Sequence, residues 1–242
     1  PTNPRYFADR HGRVVYLTGS HTWDTLQDLG QSDPPPVFDF DAYLDFLVAR
    51  GHNFIRLWRW ELLRWDTEAN QEEMPKELVA ALHPWARPGP GLALDGKPRF
   101  DLRQFDPEFF HRLRTRVEQA GRRGLYVSIM LFEGWGLRFV KDAWRAHPFH
   151  PGNRLPLEEG DPAGQVEGQG LFTLASPAVT ALQEAYVRQV VDAVNDLDNA
   201  LYEIANESDF ATTQWQYHLI RQLKIYQAGK PRQHPVGMTS VG

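Results

Sequence analysis

Leu201-Tyr202-Glu203-Ile204-Ala205-Asn206-Glu207-Ser208 is the stretch around which the rest of the chain is read. Four or five strand-forming residues end in a carboxamide beside a carboxylate, and small and polar residues follow at once. Acid–base chemistry uses a carboxylate at the exit of a buried strand, because partial desolvation keeps it protonated until it donates. Helix capping and ion pairing use the same residue, so Glu207 gains meaning from its place in the order of strands.

Composition narrows the classes. The chain has 242 residues, 42% hydrophobic and 24% charged, which is a globular balance. A net charge of −5, with the arginines scattered among acids, excludes the basic footprint of a nucleic-acid binder. No apolar run approaches the roughly 18 residues of a membrane span. The absence of cysteine excludes disulfides and thiolate metal sites but does not decide the compartment. The chain starts at Pro1 with no visible signal peptide, as expected of a processed or excised segment. Eight Trp, 8 Tyr and 14 Phe supply either a core or a sugar-stacking cleft.

Residues 4–9 and 13–18 read as two strands joined by a turn at Gly12. Val14-Val15-Tyr16-Leu17 is apolar enough for burial on both faces, and it exits into Gly19-Ser20-His21-Thr22-Trp23. A helix over residues 40–50 stops at Gly51, and a strand over 53–60 follows. Residues 61–105 show no clean period and contain His83-Pro84-Trp85; so long an insert in a compact domain is usually functional. Asp106-Pro107 caps a helix to about residue 123, and residues 125–132 form the next strand, ending at Glu133-Gly134-Trp135-Gly136. A second insert runs to about residue 175 and holds Trp144, His147, His150 and an acidic, glycine-rich patch over 158–170. Ser176-Pro177 caps a helix to about residue 197. The opening strand, a helix over 212–228 and a last strand over 235–241 complete the chain.

Strands alternating with helices imply a parallel sheet with right-handed crossovers. Five such strands, a short leading strand and no linker give one α/β domain over residues 1–242. The long inserts all follow strand ends, the functional face of a (β/α)8 barrel and of an open doubly wound sheet alike. The missing Gly-x-Gly-x-x-Gly after the first strand weakens the dinucleotide-binding version.

At the strand ends, Glu133 precedes Glu207 by one strand, so two carboxylates face one region, although Gly134 and Gly136 mark a turn that could simply solvate Glu133. Arg56 stands in a strand interior and needs a partner, catalytic or structural. His21, Trp23, Trp58, His83, Trp85, Glu133 and Trp135, with Arg56 and Asn206, are candidates for contacting substrate. Packed tryptophans and a satisfied histidine are the plainer readings. The nine histidines contain no His-Glu-x-x-His, and His147/His150 is a weak metal pair.

With Asn206-Glu207 closing the fourth repeat strand, the chain resembles the clan A glycoside hydrolases, cellulase-like (β/α)8 barrels typified by family 5. Residues 3–23 also resemble a subgroup of cellulase-like bacterial proteins with an opening hairpin. The resemblance implies a retaining hydrolase of a β-linked poly- or oligosaccharide, with Glu207 as acid/base. Asn206 would bond the sugar beside the cleaved linkage, and Arg56 would be the strand-two arginine that contacts the nucleophile. No cofactor is implied. The clan's second carboxylate ends strand seven, whereas this chain supplies five strands, so a partial (β/α)8 barrel is expected. Its open edges would lie under a loop, a second copy or a partner chain. Two alternatives stand beside this: a truncated, non-catalytic carbohydrate-binding scaffold, and a barrel enzyme using Glu133 and Glu207 as metal ligands.

Overall fold

The computed structural model describes residues 6–9, 11–66, 77–157 and 166–239. The opening Asn3-Pro4-Arg5 and most of the acidic, glycine-rich patch lie outside these residues. Strands β1 (Phe7–Ala8) and β2 (Val14–Val15) form an antiparallel hairpin, and β3 (Gly19–Ser20) follows. After β4 (Asp28–Gly30) come helix α1 (Phe40–Ala49) and strand β5 (Phe54–Leu57). Strands β6 (Arg64–Asp66) and β7 (Glu77–Ala81) precede helix α2 (Pro107–Arg122) and strand β8 (Tyr126–Glu133). A short helix α3 (Trp135–Phe139) leads through an irregular segment to α4 (Pro177–Val194), β9 (Ala200–Asn206), α5 (Thr213–Ala228) and β10 (Val236–Gly237).

Strands β3, β5, β8, β9 and β10 lie side by side in chain order, every neighbouring pair parallel. This is a partial (β/α)8 barrel, with helices crossing between successive strands. Among the described residues β3 and β10 end the sheet, each paired on one side. The helices start where their caps dictate. The side chains of Asp39, Asp106 and Ser176 accept the backbone N–H of Ala42, Glu108 and Val179, and Pro107 and Pro177 occupy the first helical turn. The inner face of α2 (Phe109, Phe110, Leu113, Val117, Ala120) packs with Val187, Val190, Val191 and Val194 of α4 against Val127, Ile129, Tyr202 and Ile204 of the sheet.

Three features differ from the sequence expectation. Val14-Val15-Tyr16-Leu17 is not a buried strand: Val14 is 66% and Tyr16 83% exposed, and among the described residues β2 pairs with β1 alone. Apolar composition alone does not distinguish a hairpin from a core strand. The barrel begins instead at Gly19, where a Cβ would stand 1.7 Å from the Phe54 carbonyl oxygen. The insert after β5 is not structureless either. β4, β7 and β6 form a three-stranded antiparallel sheet, whose strands of three to five residues are too short to show a period and come from two separate inserts. Finally, the glycines after Glu133 open helix α3 rather than an extended turn.

Gly19→Ala is expected to break the β3–β5 pairing and lower the unfolding free energy by about 1–3 kcal/mol, the usual cost of overpacking. Denaturant titration measures this, and unchanged stability would show that β3 contributes nothing to the barrel.

Candidate active site

β8 and β9 end level with each other, with Glu133 the register partner of Asn206. Gly134 N donates to the Asn206 carbonyl at 2.8 Å. A Cβ at Gly134 would lie 2.5 Å from Ser208 Oγ and 2.8 Å from the Asn206 carbonyl oxygen, so glycine is what lets the two exits meet.

Arg56, on β5, reaches across to β9. Its Nε donates to Glu203 Oε2 at 2.7 Å, its Nη2 donates to Glu203 Oε1, and the same Nη2 donates to Asn206 Oδ1 at 3.0 Å. The guanidinium also stands 4.8 Å from the Trp58 ring centroid. His21 stacks on Trp58, with centroids 5.0 Å apart and planes 15° apart. Partial desolvation, with the Arg56 charge second, holds the His21 pKa below the ordinary imidazole value.

The two carboxylates at the strand exits differ in environment, and not in the way the sequence suggests. Glu207, expected to be desolvated, is exposed. Its backbone is left-handed, φ +46°, which is costly for a residue with a Cβ, and its carbonyl accepts from Arg138 Nη1 at 2.8 Å. The buried carboxyl group is Glu133, 1% exposed, which accepts from Trp135 N and Gly136 N at 2.8 Å each and from Asn206 Nδ2 at 3.4 Å. Burial pushes its pKa up to about 8 and the Glu61 charge adds to the rise, against the N–H groups of Gly136, Asn206 and Trp135.

Behind this lies a buried network with no counterpart in the sequence reading. Arg59 Nη1 donates to Glu61 Oε1 at 2.6 Å, and His147 Nε2 stands 3.5 Å from Glu61 Oε2. The Arg59 guanidinium faces the rings of Tyr186, Trp85 and Phe132 at 4.5, 5.3 and 5.6 Å. Although burial acts against it, Glu61 is held below the ordinary carboxylate range by Arg59 and His147. Beside it, half-buried Trp23 and Trp135 pack edge-on to Trp60 and Trp65.

The structure thus brings Arg56, Trp58, His21, Glu133 and Asn206 together, with Glu207 next along the chain and the Trp23/Trp135 cluster joined to Trp58 through Trp60. His83 and Trp85 do not join them. His83 is buried, with Nε2 on the Ala80 carbonyl, and burial pushes its pKa down to about 3. Trp85 packs against Phe149 and Tyr186 and anchors its loop to the core. Sequence reasoning missed Glu203, Trp60, Trp65, Arg138 and the Arg59–Glu61 pair. The signal for Glu203 was present: an arginine inside one strand calls for a partner, and Glu203 stands inside another strand of the same sheet, with β8 between them. Among the described residues no three His, Asp or Glu side chains converge to hold a metal ion, and no helix is long and apolar enough to cross a membrane.

No protein-family model matches the sequence, and no curated protein matches it either. Solved structures do match. Endo-glycoceramidase II from Rhodococcus sp. superposes with a TM-score of 0.56 at 18% identity over 97% of this chain and 50% of its own. An exo-β-1,4-mannosidase from an Opitutaceae bacterium gives 0.53 at 16% over 94% and 32%. A glycoside hydrolase family 5 protein from Bacteroides vulgatus gives 0.51 at 13% over 97% and 37%. The fold is that of the family 5 glycoside hydrolase barrels. The chain spans about a third to a half of the length of these structures.

The titrating groups set the pH dependence of stability. Glu133 keeps its proton to about 8 in the fold, against 4.5 for a free carboxyl, so the stability it contributes is present below 4.5 and is lost as pH rises toward 8. His83 works in the opposite sense: its contribution is present above 6.5 and is lost as pH falls toward 3. Among the described residues, Glu133 has a raised pKa that spans about pH 6.5 to 8, and unfolding free energy is expected to fall there. Denaturant midpoints across that window should decline in the wild type and stay level in Glu133→Gln; the same decline in both would rule Glu133 out as its source.

Proposed function

We propose that this chain forms part of a retaining glycoside hydrolase that acts on a β-linked poly- or oligosaccharide. Glu207 is its general acid/base. The observation that carries the reading is the place of Asn206-Glu207 at the end of the fourth parallel strand, with Glu207 exposed, held in a left-handed conformation and beside the Arg56–Asn206 contact. Backbone strain of this kind persists where surrounding structure holds it and concentrates at functional sites. Glu207 donates a proton to the leaving oxygen and later takes one from water. Asn206 bonds the sugar next to the cleaved linkage. His21 and Trp58 offer a stacked platform, and Trp23 and Trp135 extend it.

Retention requires a second carboxyl group about 5–5.5 Å from the acid/base, and that group comes from outside these five strands. Support for a covalent route comes from the Rhodococcus endo-glycoceramidase II, whose lactosyl-enzyme intermediate superposes on this chain with a TM-score of 0.53. The protein is further proposed to cover the β3 and β10 edges with additional chain or a partner.

In the full-length protein, Glu207→Gln is expected to lower turnover of activated aryl β-glycosides about 10²–10⁴-fold, the usual share of general acid–base catalysis, and to leave oligosaccharide binding nearly unchanged. Colorimetric release of nitrophenol and calorimetric titration measure the two. A substituted protein as active as the wild type overturns the assignment, and sugar binding without any wild-type turnover points to the carbohydrate-binding scaffold instead.

A further inference from the structure

A carboxyl group 1% exposed does not meet a sugar, and the side chain that Glu133 does meet is Asn206. An asparagine amide has a donor end and an acceptor end, and here both are engaged within the protein. Oδ1 accepts from Arg56 Nη2 at 3.0 Å, and Nδ2 donates to Glu133 Oε1 at 3.4 Å. Turning the amide over would set its N–H₂ against the arginine N–H, losing that bond at a buried site, and once Glu133 is ionised it would also set the amide oxygen against a carboxylate oxygen. We propose that Glu133 is a positioning residue: it fixes the side-chain amide of Asn206 in one orientation, leaving a single N–H to meet an oxygen of the sugar. The proposal rests on the glycosidase reading of Asn206-Glu207 and adds a function for the carboxyl group beneath it.

Glu133 is itself held firmly enough for this role. The first two N–H groups of α3, from Trp135 and Gly136, bond its two oxygens. A Cβ at Gly136 would lie 2.8 Å from Glu133 Oε2 and 2.9 Å from Leu62 Cδ1, so glycine lets that backbone close on the carboxyl group. The surrounding charges are committed elsewhere. Arg56 forks onto Glu203, Arg59 and His147 engage Glu61, and Arg138 reaches the Glu207 carbonyl with Asp209 at 3.9 Å. Glu61 is the neighbouring charge that acts on Glu133, favouring its protonated form.

The side-chain amide of Asn206 reports on this contact without any turnover. In the wild-type protein its NMR resonances are expected to move with pH around a midpoint of about 8, and in Glu133→Gln to stay still. In the full-length protein, Glu133→Ala is expected to lower kcat on an aryl β-glycoside about 10–100-fold with little change in KM, because a misplaced amide fails chiefly in the transition state. Glu133→Gln keeps a carbonyl oxygen toward Asn206 and should recover most of that loss. Asn206 resonances insensitive to pH in the wild type, or a titration that survives in Glu133→Gln, overturn the proposal, as does equal damage from Ala and Gln. If the full-length protein hydrolyses nothing, the glycosidase reading fails and the positioning role with it, whereas a wild-type amide that does not titrate overturns the Glu133–Asn206 contact itself. The same titration decides that contact if neither substituted form folds.

Discussion

Arg56 is the constraint on which the site depends. A guanidinium on the second barrel strand bonds the carboxylate of Glu203 with two of its nitrogens and the Asn206 amide with one of them, tying β5 to β9 across β8. The planar fork of arginine matches a carboxylate in a way lysine does not. Both side chains are largely shielded, so their attraction must offset desolvation, and removing either leaves the other stranded at a cost of about 3–5 kcal/mol, less for the part still exposed. The pair therefore fixes an arrangement more than it adds net stability. What it arranges is Asn206, and through the backbone, Glu207.

Glycine makes the rest possible. Gly134 and Gly136 let the β8 exit approach Ser208, the Asn206 carbonyl and the Glu133 carboxyl group more closely than any side chain would allow. Two neighbouring strand ends thereby acquire carboxyl groups of opposite character. Glu133 is sealed and inclined to keep its proton, whereas Glu207 is exposed on a strained turn. One environment favours the protonated carboxyl group and the other leaves a carboxyl group open to water.

Helix boundaries were legible because capping chemistry is local. Asp106-Pro107 and Ser176-Pro177 mark the starts of α2 and α4 as read, since both signals act within one turn. The order and parallel pairing of the strands followed from the alternation with helices. The β4–β7–β6 sheet did not, because strands of three to five residues from two separate inserts leave no periodic trace. Nor did the hairpin's exposure, since Val14 to Leu17 have the composition of a core strand and lack only the neighbours.

The sequence by itself determined a partial α/β barrel, the strand that ends in Asn206-Glu207 and the need of Arg56 for an acid. Each rests on local signals: caps, strand-forming runs and the cost of an unpaired charge. Tertiary structure decided which acid answers Arg56, which carboxyl group is buried and which aromatic residues face the site. His83 and Trp85 went to the core and Glu203 to the site, because burial depends on what the chain packs against, and those neighbours are distant in sequence.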